Sequence, residues 1–280
     1  MSEFINTIDV LGDDAVIDSI IDRTITEFKD DQITKVGQYA FYNCTALTAV
    51  DLPEATSCAT KAFYGCTSLG AADFPNVTSL GESAFQGCTA LTRVNLPKHK
   101  YLANSIFQGC TSLVDVNMPE FIGNGPNAYN QRAFYGCSSL QSVSFPKLVR
   151  TGNYAFYGCG KLSHIEAPIL EEVGSQAFYN CGSLKLLDLP MCKSFGSSAM
   201  QNSGVTALVL RRTDAICTIP DANALSNPIK NGTGYIYVPR AAVDSYKATT
   251  NWAAFASQIR ALEDYTVDGT ITGALDETKI

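Results

Sequence analysis

Seven cysteines, Cys44, Cys66, Cys88, Cys110, Cys137, Cys159 and Cys181, follow one another at steps of 22, 22, 22, 27, 22 and 22 residues. The prolines Pro53, Pro75, Pro97, Pro119, Pro146, Pro168 and Pro190 keep the same step, as do the phenylalanines Phe41, Phe63, Phe85, Phe107, Phe134, Phe156 and Phe178. Three chemically unrelated residue types in one register define a repeating unit. A unit of this length constrains the chain to a stack of near-identical turns, each burying its apolar surface against its neighbours.

The unit reads Ala-Phe-Tyr-Gly-Cys-Thr-Ser-Leu-x-x-Val-x-Leu-Pro, followed by about eight residues that usually carry an apolar residue and then Gly. Its Leu-x-x-Val-x-Leu stretch, Leu47, Val50 and Leu52 in the first copy, ends in period-two alternation and predicts a short strand with Val and Leu inward. Proline cannot donate to a ladder, so Pro53 and its equivalents end that strand and turn the chain. Ala40, Phe41, Cys44 and their equivalents then fill the opposite wall. Stacked turns of this kind are spaced by about 4.8 Å, the separation of paired strands. An eighth, degraded copy follows, with Met200 in the Phe place, Ser203 in the Cys place, and Val205, Leu208 and Leu210 restoring the strand pattern.

From Ala40 to Pro190 the unit resembles the BspA-type, or treponemal-type, leucine-rich repeat, whose hallmark is Ala-Phe-x-x-Cys-x-x-Leu-x-x-Ile-x-Leu-Pro. The resemblance implies an α+β repeat solenoid, a right-handed leucine-rich-repeat superhelix with a parallel sheet and short helical caps at both ends. It also implies attachment to a protein or glycan rather than turnover. Family members occur among bacterial and protozoan surface proteins and among phage and prophage structural proteins. The expected organisation is a cap over residues 1–35, a solenoid of about eight turns over 36–212, a second cap over 213–265 and a flexible tail over 266–280.

In the first cap, Gly12 to Arg23 carries apolar residues at helix-like spacing behind Asp13 and Asp14, and Thr24 to Phe28 alternates as an edge strand would. In the second, Tyr235 to Pro239 reads as a strand ended by proline. Ala241 to Leu262 then reads as a helix burying Val243, Tyr246, Trp252, Phe255 and Ile259.

Composition narrows the function classes. A formal net charge of -7 and a pI near 4.9, without a basic cluster, disfavour nucleic acid. No basic-then-apolar leader and no apolar run long enough for a membrane span is visible, which leaves the location open between a cell surface and a virion. The two histidines, His99 in a loop after Pro97 and His164 on a strand three copies on, cannot share a local site. No Cys-x-x-Cys, phosphate loop or His-Glu-x-x-His occurs, so no enzyme, metal or cofactor is expected. The stacked cysteines are expected to be reduced core residues, because an evenly spaced odd-numbered column cannot pair completely. Asn43, Asn76 and Asn231 match the glycosylation sequon, a match that the repeat itself explains at Asn43.

Two outward stripes remain for a partner. The first, between the inward Val and Leu, is Asp51, Asp73, Asn95, Asn117, Ser144, Glu166 and Asp188, flanked by residues that include His164; it forms an acidic track. The second follows each Phe and includes Tyr42, Tyr64, Tyr135, Tyr157 and Tyr179, with glutamines at 86, 108 and 201. The single 27-residue step adds five residues near Gly123 to Asn127, and Asn124 and Asn127 in that insertion extend the second surface. Two functional readings stand: an adhesin-like module recognising a protein or glycan on a host or neighbouring cell, and a structural or receptor-binding subunit of a phage or prophage particle.

Overall fold

The computed structural model describes residues 8–11, 14–17, 23–101, 103–123 and 131–265. The repeat folds as a parallel β-solenoid of about ten turns with few helices. Its principal ladder is built from strands of mostly three residues, among them Ala49–Asp51, Ala71–Asp73, Arg93–Asn95, Asp115–Asn117, Ser142–Ser144, His164–Glu166 and Leu186–Asp188. Pairing is in register turn upon turn, as in Ala71↔Arg93 and Arg93↔Asp115. Side chains at one repeat position therefore form one row along the face.

A second, shorter ladder runs through Ile33–Val36, Ser57–Cys58 and Ser79–Leu80, continues by single bridges Tyr101↔Gly123, Gly123↔Arg150 and Arg150↔Glu172, and passes to Glu172–Val173 and Ser194–Phe195. The long step keeps this register: Val149 N donates to Ile122 O at 2.9 Å, and on the third side Phe107 N donates to Ala133 O at 2.9 Å. Gly123 is required at that junction. Its φ is +101°, and a Cβ there would lie 2.1 Å from the carbonyl oxygen of Arg150.

The third side is a run of turns held by backbone bonds such as Phe41 N to Ala62 O and Asn43 N to Tyr64 O, both 2.7 Å. Each turn needs two left-handed residues. One, just before each Cys, is Gly65, Gly87, Gly109, Gly136 and Gly158, or Asn43, Asn180 and Asn202, the residue types that tolerate positive φ best. The other, two residues before each Phe, is never glycine: Tyr39, Lys61, Ser83, Ser105, Arg132, Tyr154, Gln176 and Ser198 occupy it at φ of 53–61°.

Inside, the repeat phenylalanines form a continuous stack, with neighbouring ring centroids 4.8 Å apart for Phe41–Phe63 and 5.5 Å for Phe156–Phe178. The cysteine column beside it is reduced and buried. Each thiol from Cys66 to Cys181 donates to the carbonyl oxygen of the Phe one turn back, at 3.0 Å for Cys66 to Phe41 and 3.2 Å for Cys181 to Phe156. Burial pushes the Cys66, Cys110 and Cys181 thiols up to about 12, which keeps them protonated donors.

The ends depart from expectation. Eight turns become about ten because the ladder begins earlier, at Glu27–Lys29 paired with Ala49–Asp51, and continues past the eighth-copy strand Ala207–Val209 through Tyr235–Val238 and Ile259–Ala261. Of the stretch Thr24 to Phe28 expected as an edge strand, only Glu27 and Phe28 fall in that strand, which starts at Glu27 and ends at Lys29. The helix expected from Gly12 to Arg23 is not what forms at its described residues: Asp14–Ile17 is a strand, antiparallel to Ile8–Leu11 and parallel to Ile33–Val36. Val16 and Ile17 are β-branched, which favours the extended backbone of a strand. The helix expected from Ala241 to Leu262 is also shorter. It covers Val243–Ala248, after which Thr249 is extended and Asn251 is left-handed at φ 71°, so Ile259–Ala261 returns as a strand. Tyr246, Trp252, Phe255 and Ile259 are nevertheless buried and Val243 partly so. The tail expected over 266–280 lies outside the described residues.

Candidate binding surface

The principal ladder brings Asp51, Asp73, Asn95, Asn117, Ser144, Glu166 and Asp188 into the row that alternation predicts, since each occupies the same register position of its strand. Their polar groups are largely engaged along the row itself. Lys29 pairs with Asp51 and Arg93 with Asp73. Asn95 donates to Asp73 and Asn117 donates to Asn95, each at 2.7 Å, and Ser144 Oγ donates to Glu166 at 2.6 Å. Asp188 receives two prongs of Arg211, Nε at 3.0 Å and a terminal nitrogen at 2.6 Å, and this hydrogen bonding pushes the Arg211 guanidinium further toward its charged form. Three of the row's four carboxylates, Asp51, Asp73 and Asp188, thus face a cation, two of these cations coming from the margins of the repeat, while Glu166 accepts from Ser144. His164 is exposed at its edge.

The second stripe forms two aromatic patches. Tyr42 and Tyr64 stack at 5.1 Å, with Tyr39 edge-on to Tyr42, Arg23 over the Tyr42 ring and Lys61 near Tyr39 and Tyr64. The larger patch is Tyr135, Tyr157 and Tyr179. Their centroids lie 4.7 and 4.9 Å apart and their planes are parallel within 2°. The spacing is that of the hydrogen-bonded turns beneath, as where Gly136 N donates to Tyr157 O and Gly158 N to Tyr179 O, so the fold itself imposes the stack. Arg132 lies over Tyr135 and Tyr154, 5.9 and 5.3 Å from their centroids. Asn202 donates to the Tyr179 hydroxyl at 2.9 Å and accepts from Asn227 at 3.0 Å, which fixes one end. Partial burial together with the flanking tyrosines raises the Tyr157 hydroxyl above its ordinary pKa, so it stays a neutral donor. Asn124 and Asn127 lie outside the described residues.

Sequence reasoning missed the cations and rings that frame these patches. The signal was present: Lys61, Arg132, Tyr39 and Tyr154 stand three residues before Tyr64, Tyr135, Tyr42 and Tyr157, at the non-glycine left-handed corner. It also missed a shallow concavity of about 290 Å³ on the second ladder, lined by Arg150, Asn153, Glu172, Ser175 and Ser194. Asn153 there is already committed to the Ser175 amide and Arg150 to Glu172.

His99 is in a loop after Pro97, as the sequence indicates, but its side chain points inward and is 1% exposed, at the repeat position of Ala55, Val77 and Phe121. Among the described residues, neither ring nitrogen has a hydrogen-bond partner. Burial drives its pKa down to about 4 against a weaker opposing pull from the backbone of Tyr101 and Thr78. Among the described residues, no group of three or more His, Cys, Asp and Glu is placed to hold a metal ion, and no helix is long and apolar enough to cross a membrane.

The sequence profile described as "BspA type Leucine rich repeat region" matches in six copies, over residues 22–129 and 122–220. No curated protein matches. Among solved structures, a leucine-rich repeat protein from Eubacterium ventriosum is 26% identical, over 65% of this chain and 44% of that one, with a TM-score of 0.47. The chain therefore spans less than half the length of that protein. The T. pallidum leucine rich repeat protein is 21% identical over 68% of this chain and 81% of that one, with a TM-score of 0.48. A leucine-rich repeat protein from Bacteroides ovatus is 19% identical over 85% and 84%, with a TM-score of 0.33.

Proposed function

The chain belongs to the BspA-type leucine-rich repeat family, and from that premise we propose that it is a non-enzymatic, adhesin-like module that binds a protein or glycan through the tyrosine face centred on Tyr135, Tyr157 and Tyr179. The repeat fold is of a kind suited to protein binding. The observation that carries the proposal is the coplanar stack: three half-buried rings held 4.7 and 4.9 Å apart. Stacked rings cover one another's faces, so they offer a partner their edges and hydroxyls. Because the rotamers are fixed before binding, little side-chain entropy is lost on contact. Arg132 adds a cation at the edge. Phenol hydroxyls beside a guanidinium fit a partner surface rich in hydroxyl and carboxylate groups. The principal ladder is the weaker candidate, since three of its four carboxylates already hold Lys29, Arg93 and Arg211.

The test applies labelled protein to a glycan array and to an array of extracellular-matrix proteins. A variant carrying Tyr135→Ser, Tyr157→Ser and Tyr179→Ser is compared with one carrying Asp73→Lys, Glu166→Lys and Asp188→Lys, each first checked by circular dichroism. The tyrosine variant should lose the array signal at least tenfold while the charge-reversed variant keeps it. Retention by the tyrosine variant together with loss in the charge-reversed variant would move the binding surface to the principal ladder.

A further inference from the structure

Cys192 and Cys217 stand apart from the thiol column. Cys192 takes the inward position that Ala55, Val77, His99, Phe121, Leu148 and Leu170 hold in earlier turns. Cys217 lies on the next segment of chain, which is bonded to the same turn: Thr218 N donates to Lys193 O and Phe195 N donates to Thr218 O, both at 2.9 Å. The main chain at Cys217 is fixed from the other side as well. Its amide donates to the Tyr246 hydroxyl at 2.9 Å, and its carbonyl accepts from Trp252 Nε1 at 2.7 Å. Between these two anchored segments the sulfurs lie 3.5 Å apart, and both residues are buried, 1% and 0% exposed. In the column, by contrast, each thiol from Cys66 onward is aimed at a Phe carbonyl.

We propose that Cys192 and Cys217 are a dithiol that closes to a disulfide in an oxidising thiol–disulfide environment, clamping the last regular turns to the C-terminal segment while the thiol column stays reduced. The co-reactant is a disulfide, either a small molecule such as oxidised glutathione or a protein oxidant. One cysteine, as thiolate, attacks the co-reactant disulfide and forms a mixed disulfide with release of one thiol. The second displaces the remaining half, so two S–H bonds become one S–S bond and one disulfide becomes two thiols. Closing from 3.5 Å to the bonded distance of about 2.05 Å requires the two sulfurs to approach by about 1.5 Å.

The contact with Cys192 and burial raise the Cys217 pKa far above the ordinary thiol range. Exchange therefore requires the C-terminal segment to open, and it proceeds readily during folding and slowly afterwards. Bridging the column would instead break the thiol-to-carbonyl bonds that tie each turn to the one before it.

The experiment equilibrates the protein in glutathione buffers of graded redox ratio, both as native protein and during refolding from denaturant. It then alkylates free thiols and maps the peptides by mass. At oxidising ratios the refolded protein should lose two of its ten titratable thiols, yield one cross-linked species joining the Cys192 and Cys217 peptides, and melt at a higher temperature. The Cys192→Val variant, which restores the residue type found at Val77, should show no redox-dependent loss of thiols. Ten free thiols in the refolded protein at every ratio, or cross-links that map to other cysteines, would overturn the proposal. Refolding removes the access barrier, and the mapping depends on no variant, so a negative result bears on the geometry itself.

Discussion

The Sγ of Cys110 donates a hydrogen bond of 3.2 Å to the carbonyl oxygen of Phe85, one turn back along the solenoid. The same bond recurs from Cys88 to Phe63 and from Cys159 to Phe134. Both residues are buried, and a thiol packs as a small apolar group while still donating. The residue that looks like a disulfide or metal ligand in sequence is thus a hydrogen-bonding core residue.

Replacing Cys110 by Ala removes both the donor and the volume. It should destabilise the protein by about 1–3 kcal/mol, measured as a lower urea midpoint with an unchanged slope. The converse holds at Ser203, which occupies the Cys place in the degraded copy, is 4% exposed and finds no partner for its hydroxyl among the described residues. Ser203→Cys should raise stability by about 1 kcal/mol or less through a bond to the preceding turn. A neutral or negative shift there would mean that the column ends at Cys181 for reasons of backbone geometry.

The left-handed corner before each Cys separates conformational strain from crowding. At Gly109 φ is +75°, and an added Cβ would come no closer than 3.9 Å to a neighbouring turn. Gly109→Asn should therefore melt close to wild type, as Asn43, Asn180 and Asn202 already occupy the equivalent corner, whereas Gly109→Val should cost about 1–2 kcal/mol. Equal destabilisation by both would place the cost in packing.

His99 supplies a pH signature. It titrates near 4 in the folded protein and near 6.5 when unfolded, so between these values the unfolded chain binds the extra proton. Stability is unaffected by this group above pH 6.5 and falls as pH drops through the window, by about 3 kcal/mol in total. His99→Phe, matching Phe121 one turn on, should flatten the difference between pH 4 and 6.5 in denaturant titrations. An unchanged pH profile would show that the imidazole is not buried.

Central Phe107 stacks on Phe85 at 5.7 Å and on Phe134 at 5.5 Å. Phe107→Ala should cost about 3–5 kcal/mol, read as a drop in melting temperature of the whole solenoid rather than of one segment, because each turn is buried only against its neighbours.

The solenoid was legible because its period is rigid: Leu47, Val50, Leu52, Phe41 and Cys44 each recur at one offset, and each falls where the offset puts it. The ends were not. Ala15-Val16-Ile17 is a short apolar run that fits a helix face and a strand equally, and what decides between them is pairing with Ile33–Val36, 18 or 19 residues on. In the C-terminal segment, apolar spacing found the buried side chains Tyr246, Trp252 and Ile259 but not the break at Thr249-Thr250-Asn251. Both outward rows could be read from alternation and register. Their electrostatics could not, since Lys29 and Arg211 reach Asp51 and Asp188 from turns at the margins of the regular repeat.

The corner held by Tyr39, Lys61, Ser83, Ser105, Arg132, Tyr154, Gln176 and Ser198 has a consequence for how such a chain changes over generations. Every one of these residues already sits in the left-handed region, at a cost of about 1 kcal/mol that varies little among the side chains found there, none of which is β-branched. Exchanging one for another leaves the backbone energy almost untouched. Yet this is the position from which Lys61 and Arg132 lean over the neighbouring tyrosines. The corner is thus a place where mutation is nearly free for folding and consequential for what the tyrosine face offers a partner. A lineage can retune that face one turn at a time without rebuilding the core.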